Sequence, residues 1–288
     1  MKRVILFTLM LFLCSMLPGQ DFDHEIDSLL TVLRSHREDE WMNLLQGENK
    51  YHIIYTQAGF ENKSYFGGRD IGVDQFNLML GASYHYRGFT ASFGGAIYPA
   101  FEPHWYASVL SFSYGKTVFI PFPLDLLIGY DRSFFHAQED TLNTMLPNSL
   151  HISTGHNAKR WTAYLDYSLL FGSEVSSQLS GGMSFRQTIL RWKNINKLSI
   201  EPAVSLLFGD EESIYYPFPG GNRPPVAVKN FGLLNTVFYI PLVCYWGDAD
   251  ISVGFQYNIP RAADGESEYD PTYLFSLSGG YMFSFKGK

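Results

Sequence analysis

The chain has 288 residues and a formal net charge of −7, which excludes nucleic acid as a partner because phosphate binding requires a basic face. Charged residues make up 17% of the chain, and aromatic residues also reach 17%. This balance excludes a disordered chain, which has few aromatic residues and many charges. Beyond residue 20 no segment has the ~20 consecutive apolar residues that a membrane-spanning helix requires.

The first segment, residues 1–20, has the pattern of a secretory signal peptide. Basic residues at positions 2 and 3 precede an uncharged apolar run at 4–17, and Pro18 follows it. A run of this length is typical of an export signal and is too short for a membrane anchor. The pattern predicts an exported protein with cleavage near Gly19 or Gln20.

Residues 21–49 contain the helix-like part of the chain. Ile26, Leu29, Leu30 and Leu33 form one apolar stripe at helical spacing. The spacing predicts a short N-terminal helix in the periplasm. A solvated leader that packs loosely fits the same residues equally well.

From residue 50 onward, apolar and small polar residues alternate with the period of two that marks β-strands. In the last segment Tyr273, Phe275 and Leu277 lie on one face, opposite small polar residues. Related patterns occur near 51–60, 75–86, 89–98, 105–116, 122–134, 149–156, 161–171, 178–189, 197–208, 230–246, 250–259 and 273–285. They predict about twelve strands, with 10 to 14 compatible with the length. Because Pro241 removes a ladder donor, we expect a bulge there or a strand shorter than its apolar run.

The connections between these segments predict two different ends of the sheet. The connections assigned to one end lie near 61–74, 100–104, 135–148, 172–176, 209–227 and 260–272, and four of the six are long. Those assigned to the other end are all short and lie near 87–88, 116–121, 157–160, 191–196 and 247–249. This alternation is typical of an up-and-down membrane barrel.

The composition of the strand faces favours a membrane barrel over a secreted β-sandwich. The polar faces carry Ser, Gly, Thr, Gln and Asn with isolated charges, whereas a soluble surface is rich in Lys and Glu. Strands of ~9–11 residues match a tilted bilayer crossing. We therefore expect an all-β fold, a transmembrane antiparallel up-and-down β-barrel over residues 50–288, with lipid outside and water inside. The sandwich is the alternative.

The mature chain resembles outer-membrane β-barrel proteins of diderm (Gram-negative) bacteria over nearly all its length. The resemblance rests on the leader, the alternating strands, the loop pattern and the aromatic terminal strand YLFSLSGGYMFSF. It is most similar to members of that class whose function is uncharacterised, so it implies no substrate. It implies an outer-membrane location, contact with lipid and lipopolysaccharide, and insertion by the barrel-assembly machinery.

The leading functional hypothesis is a small-solute channel or passive transporter, or an envelope structural protein, without enzymatic activity or a cofactor. Asp166, Arg186, Lys197, Glu201 and Gln256 are predicted to line the lumen, where charged rings tune selectivity. A lumen closed by pairing side chains fits the same residues, because small barrels can be filled by their side chains. The sequence leaves both states open.

The alternative function is an outer-membrane lipid hydrolase. His151 and Ser153 lie at i and i+2 on one strand face, where histidine can act as base and serine as nucleophile. Outer-membrane phospholipase A and lipid A deacylases have a similar His-x-Ser pair, but Thr154 replaces their following Asn, and no orienting acid is identifiable. Strand parity also places the pair on the lumen face, whereas those enzymes act on lipid.

No metal site is predicted. Cys14 lies in the signal segment and leaves Cys244 alone, which excludes a disulfide and a cysteine-based zinc site. The acidic residues of the segment 264–270 have the hard oxygen ligands that Ca²⁺ prefers. The residue order of a known calcium loop is absent, so we expect a solvated acidic loop.

Overall fold

The computed structural model describes residues 51–66, 69–70, 75–100, 104–119, 122–136, 146–158, 160–193, 196–215, 226–262 and 269–286. Within these residues the regular structure is all-β. The strands are β1 (Tyr51–Glu61), β2 (Tyr65–Phe66), β3 (Arg69–Asp70), β4 (Asn77–Tyr86), β5 (Phe89–Ile97), β6 (Trp105–Phe119), β7 (Pro123–Phe135), β8 (Asn148–Ala158), β9 (Trp161–Phe171), β10 (Val175–Phe185), β11 (Gln187–Lys193), β12 (Asn196–Ile200), β13 (Ala203–Tyr215), β14 (Val226–Trp246), β15 (Ala249–Pro260) and β16 (Thr272–Lys286).

The strands form one antiparallel sheet that closes on itself. Chain neighbours pair in turn, and β1 pairs with β16 along its whole length, from Tyr51 opposite Lys286 to Glu61 opposite Ser276. β11 continues β10 past Arg186, and β12 continues into β13 past Pro202. In the described part of the chain the closed sheet is therefore a barrel of twelve strands, while β2 and β3 form a separate hairpin. The predicted up-and-down barrel of about twelve strands is confirmed.

Side chains alternate between the inside and the outside of the barrel as the period of two predicts. On β15, Ile251, Val253 and Ile259 are exposed, whereas Ser252 and Asn258 between them are buried. The same alternation of exposed and buried or half-buried residues runs along β7, β8, β9 and β16. The face rich in apolar residues therefore points outward, and the face rich in small polar residues points inward.

The two ends of the barrel differ in their connections. The inner end is the one that holds Tyr51 and Lys286. There β4 turns into β5 at Arg87 and Gly88, whose φ angles are 49° and 83°, and positive φ at both central residues is the geometry of a tight hairpin. Connections at the outer end span 62–76, 98–104, 136–147, 172–174, 216–225 and 261–271. Most are longer than the inner turns, as the sequence predicted.

Strand β14 runs through Pro241 without interruption, so the expected bulge or early strand end at this residue is wrong. A shift of register against β13 lies instead at Leu234, because Leu207 pairs with Asn235 and Phe208 with Leu233. The Pro241 carbonyl accepts a hydrogen bond from the Glu201 N–H at 3.1 Å. Since both backbone groups of an antiparallel residue point to the same neighbour, the missing Pro241 donor faces the break between β12 and β13. Pro241 therefore leaves the ladder with β15 intact.

The signal peptide at 1–20 and the helical segment at 21–49 lie outside the described residues and stay predictions. No helix among the described residues is long and apolar enough to cross a membrane.

Candidate functional site in the barrel lumen

The inward face of the barrel is built mainly from small residues. Glycine or serine occupies inward positions on every one of the twelve barrel strands, because these residues alternate with the outward apolar ones. Examples in the middle of the wall are Ser153, Gly155, Ser180 and Gly182, all partly exposed although they face inward. Solvent therefore reaches these four positions of the inner wall.

Four inward rings pack closely against glycine residues of a neighbouring strand. A Cβ atom added to the glycine would overlap the ring in each case, which shows how closely the ring approaches the backbone. The pairs are Tyr55 over Gly280, Tyr239 over Gly254, Tyr164 over Gly182 and His151 over Gly129. Because glycine has no side chain, it allows these rings to approach the backbone of the wall closely.

Three of the predicted lumen residues lie close to Tyr245 near the inner end of the barrel. Arg186 Nε donates to Glu201 Oε1 at 2.8 Å, and Arg186 Nη2 donates to Glu201 Oε2 at 3.2 Å. The Tyr245 hydroxyl donates to the same Oε1 atom at 3.1 Å. Lys197 Nζ lies 4.3 Å from the centre of the Tyr245 ring, within the range of a cation–π contact. Arg186, Lys197, Glu201 and Tyr245 thus form one cluster on the inner wall.

The other two predicted residues, Asp166 and Gln256, lie on separate parts of the inward face. Asp166 accepts hydrogen bonds from the Ser153 hydroxyl and, at 3.0 Å, from the Ser168 hydroxyl. Gln256 Nε2 donates to Asn258 Oδ1 at 2.9 Å. The structure therefore does not bring the five predicted residues into one ring.

His151 and Ser153 share the inward face of β8 but lean towards different neighbours. His151 lies over Gly129 of β7, and its Nδ1 atom is 3.0 Å from Asp131 Oδ2. Ser153 donates instead to Asp166 of β9. Asp131 supplies the orienting acid that the sequence did not identify. The serine hydroxyl, however, donates to a carboxylate of β9, whereas a nucleophile in the resting state donates to its base.

Sequence reasoning missed four further inward carboxylates, Glu61, Asp125, Asp131 and Asp250. All four are buried. Glu61, Asp125 and Asp131 each share a hydrogen bond with a neighbouring strand, whereas Asp250 accepts one from Tyr55 across β16. Asp125 and Asp131 lie on a strand whose alternation is noisy, whereas Glu61 and Asp250 lie at or next to a strand end. The alternation of faces along β7 could have identified Asp131 as inward, because its neighbours Tyr130 and Arg132 point outward.

The described residues contain no group of three or more His, Cys, Asp or Glu side chains placed to hold a metal ion. Part of the acidic loop considered for calcium, residues 264–268, lies outside the described part of the chain. That hypothesis therefore stays open to experiment.

The sequence matches no known protein-family model and no curated protein. Among solved structures, the NanC porin shares 7% identity over 79% of this chain and 98% of its own, with a TM-score of 0.42. LpxR from Salmonella typhimurium shares 9% identity over 80% of this chain and 100% of its own, with a TM-score of 0.40. The Acinetobacter baumannii outer membrane protein Omp33 shares 7% identity over 82% of this chain and 100% of its own, with a TM-score of 0.33. Similarity of this degree identifies neither an activity nor a substrate.

Proposed function

We propose that the chain is an integral outer-membrane β-barrel that passes small solutes through its lumen. The membrane location is supported by the outer surface of adjacent strands, where Ile128, Ile152 and Leu165 are 56%, 59% and 48% exposed. A contiguous apolar surface of this kind favours contact with lipid over water. Aromatic side chains, including Tyr114, Trp161, Trp246 and Tyr273, are exposed at the strand ends on the same face, as in the interfacial girdles of such barrels.

The observation that carries solute passage is the small-residue wall. Partly exposed Gly and Ser residues line the middle of the inner wall, and four inward rings pack closely against glycines of that wall. A filled barrel of this size would need large inward side chains in its middle layers. The wall therefore favours an open, aqueous path over a plugged interior.

The proposal includes the partners that an outer-membrane barrel requires. Lipid and lipopolysaccharide would contact the apolar belt, and the barrel-assembly machinery would insert the chain. The signal peptide would direct export. The short turns and the two ends of the barrel chain would then lie at the periplasmic end. We propose no enzymatic activity and no cofactor for the lumen.

The test is the conductance of the purified, refolded full chain in planar bilayers. We expect stepwise conductance that decreases in a Ser180→Trp variant, because Ser180 faces the middle of the lumen. Leu179→Trp on the same strand is the matched control, since Leu179 points outward and its substitution leaves the lumen unchanged. Absence of conductance from folded protein at any voltage would overturn the proposal.

The hydrogen bond between Asp131 and His151 favours a second candidate, lipid hydrolysis at His151 and Ser153. This activity predicts fatty-acid release from phospholipid or lipid A vesicles that is lost in Ser153→Ala. The orientation of Ser153 towards Asp166 argues against it. We expect the wild type and Ser153→Ala to release fatty acid at the same background level. Release by the wild type alone would make lipid hydrolysis the better-supported function.

A further inference from the structure

The inward face of the barrel carries more carboxylates than basic groups. Among the described residues, six inward side chains are acidic, namely Glu61, Asp125, Asp131, Asp166, Glu201 and Asp250. Three are basic, namely Arg186, Lys197 and its cross-strand partner Arg191. The described lumen therefore has an excess of negative charge.

The charges are also separated along the barrel axis. The three basic residues lie at the inner end, where Arg186 is bound to Glu201 through two hydrogen bonds. In the middle and outer parts of the described wall, the charged inward groups are Asp131, Asp166 and Glu61, with His151 beside Asp131. A solute that crosses the middle of the lumen consequently passes through the field of these buried carboxylates before it reaches the basic inner rim.

Two buried amides in the outer half of the wall have acceptor atoms without a hydrogen-bond partner in the part of the chain that the structure describes. Asn77 donates through Nδ2 to Glu61 at 2.9 Å, but its Oδ1 atom has no hydrogen-bond partner among the described residues. Asn235 Oδ1, beside Asn258, likewise has no hydrogen-bond partner among the described residues. The unpaired Asn77 oxygen beside the Glu61 carboxylate adds negative partial charge to the outer half of the wall, and this charge favours cations over anions in the lumen. This observation is independent of the count of charges.

From the charge excess, its position and these free acceptor oxygens, we propose that the barrel is a cation-selective channel for small, hydrated cationic solutes. The proposal rests on the proposed channel function and adds the class of its substrate. Fixed charges in a confined aqueous path concentrate counter-ions and deplete co-ions. A potential of about one kT at the axis changes each concentration by roughly threefold, so the permeability ratio of K⁺ to Cl⁻ is expected to be on the order of ten.

The experiment measures the reversal potential of the refolded full chain across a KCl gradient in planar bilayers, first near 0.1 M and then near 1 M. We expect cation selectivity that weakens at high salt, because the screening length falls from about 10 Å to about 3 Å. Asp166→Asn keeps an acceptor for the two serine hydroxyls but removes the charge. One carboxylate within a screening length of the ion should change the K⁺ to Cl⁻ ratio by about two- to threefold.

Two variants provide the comparison. Arg186→Gln removes a positive charge and is expected to raise the preference for K⁺, so the two lumen variants shift the ratio in opposite directions. Asp248→Asn, in the exposed inner turn, makes the same charge change outside the lumen and should leave the ratio at the wild-type value. General damage to the barrel cannot produce opposite shifts.

The outcomes separate the two proposals. No conductance from the folded wild type overturns the channel itself. Conductance with equal permeability, or with preference for Cl⁻, overturns cation selectivity and leaves the channel in place. A conducting Asp166→Asn variant with unchanged selectivity would overturn the assignment of selectivity to the mid-lumen carboxylates.

Discussion

Replacement of Ile152 by arginine tests whether the outward face of the barrel contacts lipid. Ile152 lies within β8 (Asn148–Ala158) and is 59% exposed. Its cross-strand neighbours are Ile128 and Tyr167, whose side chains are also exposed on that face. At ~3.3 Å per residue, Ile152 is about 13 Å along the strand from Asn148 and about 20 Å from Ala158. An arginine at this position therefore cannot bring its charge to either membrane surface without distorting the bilayer.

In lipid, Ile152→Arg should lower the free energy of unfolding by about 2–4 kcal/mol, the cost of arginine near the bilayer midplane of such barrels. This corresponds to a decrease of about 30-fold to about 800-fold in the ratio of folded to unfolded protein. Ala158→Arg is the matched control, because Ala158 has the same outward parity at the inner end of the same strand. At interfacial depth the expected cost is about 0–1 kcal/mol.

The assay is urea or guanidinium unfolding of the refolded protein in lipid vesicles, with the folded fraction followed by tryptophan fluorescence and by gel mobility without heating. The variants must unfold with the wild-type dependence on denaturant for their free energies to be compared. On a water-soluble sandwich, arginine at an exposed position would change stability by no more than about 0.5 kcal/mol. Equal stability of Ile152→Arg, Ala158→Arg and the wild type would therefore refute lipid contact at this face.

The remaining predictions concern the lumen wall. Gly280→Ala should cost about 1–3 kcal/mol, because its Cβ overlaps the Tyr55 ring and pushes that ring off the wall. Gly155→Ala is its control and should change stability by less than about 0.5 kcal/mol, since the nearest atom to its Cβ is the Ala163 carbonyl oxygen at 3.6 Å. Glu201→Gln should cost about 1–3 kcal/mol, because it weakens charged hydrogen bonds to Arg186 and Tyr245. In unfolding experiments, a double variant with Arg186→Gln should lose less than the sum of the two single variants, and a purely additive loss would argue against an energetic coupling of the pair.

The barrel was predictable from the sequence because strand parity is a local property. Each residue on a strand points opposite to the next one, so the alternation of Ile251, Val253 and Ile259 with Ser252 and Asn258 encodes their faces before any strand pairs. Loop lengths added the up-and-down order, since short turns join adjacent strands. The number of strands followed from the same two signals.

The irregular positions of the sheet were not predictable, because they depend on the neighbouring strand. Pro241 was expected to disturb β14. Its missing donor instead faces the break between β12 and β13, where Pro202 also lies. The shift at Leu234 likewise exists only in the pairing between β13 and β14. The neighbour that each of these irregular positions faces cannot be identified from the sequence of one strand alone.

The sequence by itself determined which side chains face the lumen, because that depends only on parity, and it placed Asp166, Arg186, Lys197, Glu201 and Gln256 on one face. Only the tertiary structure decided what those residues meet, because cross-strand register brings together residues that are far apart in the chain. It joined Glu201 to Arg186 and Tyr245, turned His151 towards Asp131 and Ser153 towards Asp166, and laid Tyr55 over Gly280. Glycine on the adjacent strand makes such close approaches possible, because a Cβ atom at Gly280 would overlap the Tyr55 ring.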